Sequence, residues 1–289
     1  MGVSIYSLLK KNNWCECVNI YIIDNEISKR NRERLRLLIS EYPNTTLHFI
    51  PFYEWRNKLR LDMSWNISVS SYGRLFLADM LPDTMERILY LDCDMIVCSS
   101  LEWLWGIRLN TNVLAAVQDS VNTQTKQAVG LDEKEMYFNA GMLLINLNTW
   151  RKKQIENKCL SFIDQHKGRV LHHDQGVLNG VLKGKFYKLP VEYNLMTIHY
   201  MVSRKKLLNY FQDKATFYSD KEIREAKVHP VILHYTPSFT TRPWVRGCKH
   251  PYRGLYWEYL KETPWSETRL IKDTRKWYMK LIDWMYRIF

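Results

Sequence analysis

This sequence has no long apolar run. It contains no stretch of 18 uncharged apolar residues and no charged leader ahead of an apolar segment, so neither a transmembrane helix nor a secretory signal is indicated. The six cysteines form no C-x-x-C pair and no regular framework, which argues against a zinc site and against a disulfide scaffold. Internal repeats are also lacking. We therefore expect a cytoplasmic chain with reduced thiols.

Positive charge is in clear excess. The chain has 42 Lys and Arg against 30 Asp and Glu, a formal net charge of +12. Such a balance favours anionic partners, among them nucleotides, phospholipid head groups, phosphorylated acceptors and nucleic acid. With 289 residues, 46% of them hydrophobic, the chain can bury the core of one large domain, with or without an appendage.

Apolar, β-branched runs alternate with stretches of helical pattern. This alternation predicts βα units around a mainly parallel sheet, that is, an α/β fold. Ser28 is an expected N-cap and Pro82 an expected helix stop. We predict strands at Cys17–Ile23, Leu47–Phe52, Arg87–Val97, Val113–Val117, Tyr137–Leu147 and Val231–Thr236, and helices at Gly2–Leu9, Ser28–Tyr42, Val69–Leu81, Trp150–His166 and Asp174–Leu182.

Two aspartates, Asp92 and Asp94, close the apolar run RILYLDCDMIV. Ligand sites in open α/β sheets lie at the carboxyl ends of strands, where carboxylates can point into a crevice. Alternate residues of an extended segment face the same side, so both aspartates can share a hard cation such as Mg²⁺ or Mn²⁺. A solvated turn is an equally weighted alternative, because the D-x-D pattern is common.

His234 lies near the end of another predicted strand. A lone histidine there is more often a core residue, but with the D-x-D it completes an oxygen and imidazole site that suits Mn²⁺ better than Mg²⁺. A metal in this site could neutralise charge on a departing diphosphate. Arg74 and Arg242 are candidate phosphate contacts, although each taken alone is more readily explained as a surface cation.

Two further segments place polar groups at element ends. A glycine follows Asn139 and Ala140 in a predicted strand, where it marks either a bulge or the close approach of a ligand or another backbone. Asp174 and Gln175 open a predicted helix. Asp174 is either an N-cap or, with Gln175, a contact for a bound sugar.

At these residues the chain resembles glycosyltransferase family 8, which includes bacterial lipopolysaccharide galactosyl- and glucosyltransferases and is related to glycogenin. The resemblance extends from about Gly2 to about Tyr259. Four blocks in the family's order are far more specific than a D-x-D alone. They are SSYGRLFLADMLPDTMERILYLDCDMIV (Ser70 to Val97), YFNAGMLLINLNTW (Tyr137 to Trp150), HHDQGVLNGVL (His172 to Leu182) and HYTPSFTTRPW (His234 to Trp244).

The resemblance implies a Rossmann-like fold of GT-A type and a retaining enzyme. It would move glucose or galactose from UDP-glucose or UDP-galactose to a glycan or glycolipid acceptor in lipopolysaccharide, capsule or related surface glycan synthesis, with Mn²⁺ or Mg²⁺ as cofactor. A same-face displacement with the leaving phosphate as base is favoured. The implied roles are metal ligands for Asp92, Asp94 and His234, donor contacts for Arg74, Cys93, Asn139, Ala140 and Arg242, and catalysis for Asp174 and Gln175.

The chain departs from the family pattern in two places. Pro237 stands where the family commonly has glycine, and Arg242 replaces a lysine and lies two residues further on, so its diphosphate contact is shifted. The family also begins with a strand and an acidic loop that hold uracil and ribose. Because Gly2 already opens a predicted helix, we expect residues 1–262 to be a catalytic domain without that first strand, and expect an added strand to restore nucleotide binding.

Residues 263–289 are expected to form a basic amphipathic tail. Such a tail suits an anionic membrane, which would place the chain at the inner face of the cell membrane, and a helix packed on the catalytic domain is nearly as well supported. Its apolar residues at helical spacing are Trp277, Leu281, Trp284 and Ile288, and its cations include Lys272, Lys276, Lys280 and Arg287.

Two alternative functions stay open. A phosphohydrolase of the haloacid dehalogenase kind also opens its site with a strand ending in Asp-x-Asp, but it needs a downstream lysine and a second acidic pair that we do not find. An inactive, truncated binding protein is the other alternative. Nucleic acid is not an expected partner, because only the tail combines basic and aromatic residues.

Overall fold

Strands and helices alternate along the chain in the computed structural model, which describes residues 1–64, 68–211 and 217–288. The predicted α/β fold is therefore confirmed. Within these ranges the strands are β1 Val18–Asp24, β2 Thr45–Pro51, β3 Arg87–Leu91, β4 Met95–Val97, β5 Leu114–Gln118, β6 Phe138–Asn146, β7 Tyr187–Lys188, β8 Leu195–Met196 and β9 Ile232–His234.

Helices contribute side chains to both hydrophobic cores. Ser28 caps the second of them as predicted, because its side chain accepts a hydrogen bond from the N–H of Asn31. In the described ranges the α-helices are α1 Gly2–Lys11, α2 Lys29–Ile39, α3 Tyr53–Arg56, α4 Leu77–Met80, α5 Glu102–Gly106, α6 Thr123–Ala128, α7 Leu147–Lys152, α8 Ile155–Gln165, α9 His173–Leu182, α10 Thr197–Met201, α11 Arg204–Phe211, α12 Asp220–Val228, α13 Arg253–Lys261 and α14 Trp277–Ile288, with 3₁₀ helices at Val69–Phe76 and Val191–Asn194.

The apolar run Arg87–Val97 is not one strand, contrary to the prediction. β3 ends at Leu91 and β4 begins at Met95, and the two strands belong to different sheets. β3 pairs antiparallel with β6, whereas β4 pairs antiparallel with β9. The residues between them are rich in aspartate, which is depleted in strands and favoured in turns. The chain therefore turns at the D-x-D and passes from one sheet to the next.

The described strands form three sheets, in the orders β1-β2, β3-β6-β5-β7 and β4-β9-β8. The two larger sheets are mixed, as expected, but parallel pairing does not predominate among the described strands. The pairs β1·β2, β5·β7 and β8·β9 are parallel, and β3·β6, β5·β6 and β4·β9 are antiparallel. The cause lies in β6, which returns alongside β5 after α6 and so places an antiparallel strand in the middle of the largest sheet.

β5 and β6 are buried on both faces, and their alternate residues pack into two hydrophobic cores. This burial explains the continuous apolar runs Leu114–Val117 in β5 and Met142–Ile145 in β6. β5 and β6 thus lie between the two cores, and packing on both faces fixes their positions. One core takes Ala115, Val117, Met142 and Leu144, and the other takes Leu114, Ala116, Leu143 and Ile145.

Two predicted helices are interrupted. The segment predicted as one helix at Val69–Leu81 is a 3₁₀ helix followed by the short α4, which ends before Pro82. The helix predicted at Trp150–His166 is split into α7 and α8, because Gln154 adopts a left-handed backbone with φ 51°. The first segment contains Gly73 within its 3₁₀ part, whereas the break at Gln154 has no glycine or proline beside it in the sequence.

The segment after α13 is attached to the body of the protein. Ile271 forms a parallel bridge with Val245, in the loop that follows β9. Arg275 pairs with Asp273 at 3.1 Å and with Asp283 at 2.6 Å, which links this segment to α14. The side chains of Arg287 and Ile288 lie outside the described part. Among the described residues, no helix has the length and apolarity needed to cross a membrane.

Two buried histidines make folding sensitive to acid. His199 is 1% exposed, neither ring nitrogen has a hydrogen-bond partner, and its ring stacks against Phe217. Burial lowers the pKa of His199 to about 3 and that of His250 to about 4. Both side chains are therefore neutral in the folded protein and take up protons more readily when it unfolds.

We expect the protein to lose stability as the pH falls below about 6.5, since only the unfolded chain then binds protons at these histidines. His199→Phe keeps the aromatic contact, so between pH 7.5 and pH 5 its free energy of unfolding should fall by about 2 kcal/mol less than that of the parent. Urea unfolding at both pH values measures this. The exposed His229→Gln is the control, and equal losses for His199→Phe and the parent would contradict the assignment.

Candidate active site

The D-x-D turn lies where two of the sheets meet. On the upstream side, the N–H of Asp92 donates to the carbonyl of Gly141 at 2.8 Å, which extends the pairing of β3 with β6. On the downstream side, β4 pairs with β9, whose last residue is His234. The two pairings bring residues that are distant in sequence to the same turn.

Asp92, Asp94 and His234 converge as the sequence predicted. One ligand atom from each side chain lies within 4.8 Å of the other two. Nε2 of His234 is 3.2 Å from Oδ1 of Asp94. Two carboxylates and an imidazole that a single ion can reach together fit a divalent cation, and the imidazole favours Mn²⁺ over Mg²⁺.

Arg74 is buried between two carboxylates, with 4% of its surface exposed. It lies 2.9 Å from Asp92 and 2.9 Å from Asp174, and it also donates to the carbonyl of Ala140. The ring of Tyr90 packs against the guanidinium at 4.4 Å. Burial alone would lower the pKa of Arg74, but the two carboxylates outweigh it and raise that pKa above its ordinary value. The guanidinium is therefore a fixed positive charge.

Arg242 contacts Asp94 from the side opposite His234. Its Nε and Nη2 each lie 2.8 Å from Oδ2 of Asp94. Burial alone would raise the pKa of Asp94, but His234 and Arg242 hold it well below its usual range, so the carboxylate is ionised at neutral pH. The Arg242 side chain is 37% exposed, which leaves it open to an incoming anion.

Asn139, Ala140 and Gln175 are joined through Asp119, which follows β5. Nδ2 of Asn139 donates to Oδ2 of Asp119 at 3.0 Å, and Nε2 of Gln175 donates to the same oxygen at 2.9 Å. Oε1 of Gln175 accepts from the N–H of Ala140 at 3.0 Å. The carboxamide of Gln175 is therefore held at both ends.

A strained backbone presents Asp174 and Gln175. The preceding residues His172 and His173 have φ of 60° and 53°, a region that residues other than glycine seldom occupy. His172 is the N-cap of α9, so Asp174 lies in the first turn and is not the cap. Asp174 is 5% exposed, and burial raises its pKa against the opposing effect of its arginine partner.

Gly141 leaves room for His234. A Cβ at this position would lie 2.4 Å from Cε1 of His234 and 2.9 Å from Cε of Met95. The close approach expected at this glycine therefore occurs, but it is made by a side chain and not by a ligand or a backbone. The pairing of β5 with β6 also shifts register in this region, so a strand irregularity accompanies the contact.

The structure brings every predicted site residue into one cluster of contacts. Cys93 belongs to the cluster only by its position in the sequence between Asp92 and Asp94. Its side chain is exposed, and its carbonyl accepts from the amino group of Met1 at 3.0 Å.

Three residues of the cluster were not found from the sequence. Asp119 follows a predicted strand, so the strand-end argument applied to Asp92 would have found it. Tyr90 donates to Asp92 at 2.9 Å and lies two residues before it, so the period of two in an extended segment would have indicated that both face the same side. Asn194, whose side chain lies 2.9 Å from Nδ1 of His234, ends a short 3₁₀ helix and carries no sequence signal.

Residues 1–248 match the family described as Glycosyl transferase family 8. The chain belongs to this family. The alternative of a phosphohydrolase is therefore wrong, since the match covers the D-x-D, the Asp174 segment and His234.

Curated relatives and a solved structure agree with the family. General stress protein A of Bacillus subtilis is 29% identical over 274 residues, covering 92% of this chain and 90% of that protein. Lipopolysaccharide 1,2-glucosyltransferase of Escherichia coli is 32% identical over 279 residues, covering 92% and 75%. The crystal structure of the galactosyltransferase LgtC with donor and acceptor sugar analogs has a TM-score of 0.71 at 27% identity, covering 91% of both chains. The GT-A fold is thereby confirmed.

In this family 8 glycosyltransferase, Gly141→Ala is expected to lower the free energy of unfolding by about 1–3 kcal/mol, because the new methyl group overlaps the ring of His234. Gly106→Ala is the matched control, since a Cβ there meets nothing within 4 Å. Urea unfolding of both variants measures the difference. Equal stability of the two variants would show that the packing around Gly141 is looser than described.

Proposed function

We propose that this enzyme transfers a hexose from a UDP-sugar to a glycan or glycolipid acceptor with retention of anomeric configuration. The observation that carries the proposal is the convergence of Asp92, Asp94 and His234, which Arg74 links to Asp174. An oxygen and imidazole site beside arginines is suited to a cation and a diphosphate. We propose Mn²⁺ as the cation, with Mg²⁺ as the alternative.

The leaving group of such a reaction is a nucleoside diphosphate, whose negative charge grows as the bond to the sugar breaks. A cation held by the three ligands would supply Lewis-acid stabilisation of that charge. Arg242 lies next to the same ligands and is accessible, so we assign it a phosphate contact. Cys93, Asn139 and Ala140 are assigned to the donor because they border the metal ligands and Gln175.

Retention requires the acceptor oxygen to attack the anomeric carbon on the face that the diphosphate leaves. The bond from that carbon to the diphosphate oxygen breaks, the bond to the acceptor oxygen forms, and the acceptor proton passes to the departing phosphate oxygen. Asp174 is buried against Arg74, and both ends of the Gln175 amide are bonded. These contacts support roles for Asp174 and Gln175 in orienting the sugar, and they favour same-face displacement over attack by either side chain.

The transferred sugar and the acceptor are proposed from the names of relatives. One relative is a lipopolysaccharide 1,2-glucosyltransferase and another, from Salmonella typhimurium, a lipopolysaccharide 1,3-galactosyltransferase. We therefore propose UDP-glucose or UDP-galactose as donor and a lipopolysaccharide, capsule or related surface glycan as acceptor.

Release of UDP from UDP-glucose and UDP-galactose, measured with and without Mn²⁺, tests the proposal. We expect Mn²⁺-dependent turnover of one donor and none of simple phosphate esters. Asp94→Asn should reduce that turnover about 100-fold or more, because the site loses a charged ligand. Asp79→Asn, which loses only exposed contacts with Lys58 and Trp55, is the control. Turnover that is indifferent to Mn²⁺, or unchanged in Asp94→Asn, would refute the proposed site.

We also propose that residues 1–262 form the catalytic domain and that residues 263–289 lie on an anionic membrane surface, at the cytoplasmic face of the cell membrane. The described apolar side chains of α14 support this, since Trp277 is 75% exposed and Trp284 50% exposed. Tryptophans and lysines together suit the head-group region. The exposed lysines of the segment are Lys272, Lys276 and Lys280.

Sedimentation with phosphatidylglycerol vesicles tests the membrane contact. Replacing Trp277 and Trp284 together by serine should weaken binding roughly tenfold or more, since both apolar surfaces leave the interface. These residues are exposed, so folding should be unaffected. Trp105→Ser, at an exposed tryptophan on α5, should bind as the parent does. Equal sedimentation of all three proteins would exclude α14 as the contact.

A further inference from the structure

A chain of hydrogen bonds leads from Asp119 to the metal-ligand histidine. Oδ1 of Asn139 accepts from Nδ2 of Asn194 at 2.9 Å, and Oδ1 of Asn194 contacts Nδ1 of His234 at 2.9 Å. Asn139 is 7% exposed, Asn194 0% and His234 4%. Water has little access to these three side chains, so their polar atoms need hydrogen-bond partners within the protein.

The donor and acceptor of each hydrogen bond between Asp119 and His234 follow from the contact at Asp119. Oδ2 of Asp119 accepts from the amide nitrogens of both Asn139 and Gln175, so the nitrogen of Asn139 faces this carboxyl group. The oxygen of Asn139 then faces Asn194, and the N–H of Gly141 donates to the same oxygen at 3.0 Å, as this orientation requires. The nitrogen of Asn194 must therefore donate to Asn139, which leaves its oxygen facing His234.

We propose that Asn194 is a positioning residue that holds the proton of His234 on Nδ1 and so presents the lone pair of Nε2 to the cation. The amide oxygen of Asn194 can only accept, and the nitrogen it meets must therefore carry the hydrogen. This inference rests on the proposed function, in which His234 is a ligand. It adds the reason why Nε2, and not Nδ1, binds.

Asp119 also fixes the orientation of the Gln175 amide, through the second hydrogen bond to its Oδ2. The carboxyl group of Asp119 therefore orients two sets of hydrogen bonds. One set passes through Asn139 and Asn194 to His234, and the other orients the amide of Gln175, the residue assigned to the sugar. Removing a residue that hydrogen-bonds to a metal-binding side chain lowers metal affinity by about 10–100-fold. Asn194 touches neither the metal nor the sugar in this arrangement.

The tautomer can be read directly from the unsubstituted protein. Nitrogen NMR of protein labelled at histidine, at pH 8 and with Mg²⁺ present, should show Nδ1 of His234 with the shift of a protonated ring nitrogen. Comparison with His234→Gln assigns the signal. An Nδ1 with the shift of an unprotonated ring nitrogen would overturn the proposal.

Variants at Asn194 separate positioning from folding. Asn194→Leu removes the acceptor and should raise the Kd for Mn²⁺ about tenfold or more in calorimetry. Asn194→Asp keeps an acceptor for Nδ1 but cannot donate to Asn139, so it should lose stability and keep its Kd for Mn²⁺ within about threefold. If Asn194 were needed only for folding, the two variants would not differ in their Kd for Mn²⁺.

Asn12→Leu is the matched control. Asn12 is 5% exposed and bonds the carbonyl of Leu8 and the N–H of Leu101, at the end of α1 remote from the D-x-D turn. It should lower stability and leave the Kd for Mn²⁺ unchanged. Unchanged Mn²⁺ affinity in Asn194→Leu would overturn the inference, whereas a parent that binds no Mn²⁺ would overturn the proposed function and leave the NMR result to decide the tautomer.

Discussion

Charge compensation among buried and half-buried side chains holds this site together. Arg74 lies between Asp92 and Asp174 at 2.9 Å from each, and Asp94 lies between His234 and Arg242. Breaking a buried ion pair by removing one partner costs about 3–5 kcal/mol, because the remaining charge is left unpaired. The charged side chains are thus held in place before any ligand binds, which is the preorganisation that a charged leaving group needs.

The D-x-D turn gives these charges their position. Because β3 and β4 leave the turn in different sheets, its carboxylates meet side chains from both. On one side is β6, where a glycine makes space for His234, and on the other is β9, which carries His234 itself. The positions of the three proposed metal ligands therefore depend on the packing of the central strands, so a substitution in the core should also shift the site.

Many residues of the site could be predicted from the sequence, because they lie at the predicted ends of strands and helices. The apolar run before Asp92, the strand before His234 and the helix start at Asp174 each signal a residue at the end of an element, where chemistry can be exposed. The break of Arg87–Val97 into two strands could not be read in the same way, since it depends on which partners β3 and β4 find. The role of Asn194 could not be predicted either, because it depends on hydrogen bonds with Asn139 and His234, which are distant in the sequence.

The proposed function depends most on one imidazole and two carboxylates sharing a cation. Pulsed electron paramagnetic resonance of bound Mn²⁺, recorded with natural-abundance and ¹⁵N-histidine protein, tests this most directly. We predict a nitrogen coupling that changes with the label and disappears in His234→Gln. Bound Mn²⁺ without any histidine coupling in the parent protein would contradict it.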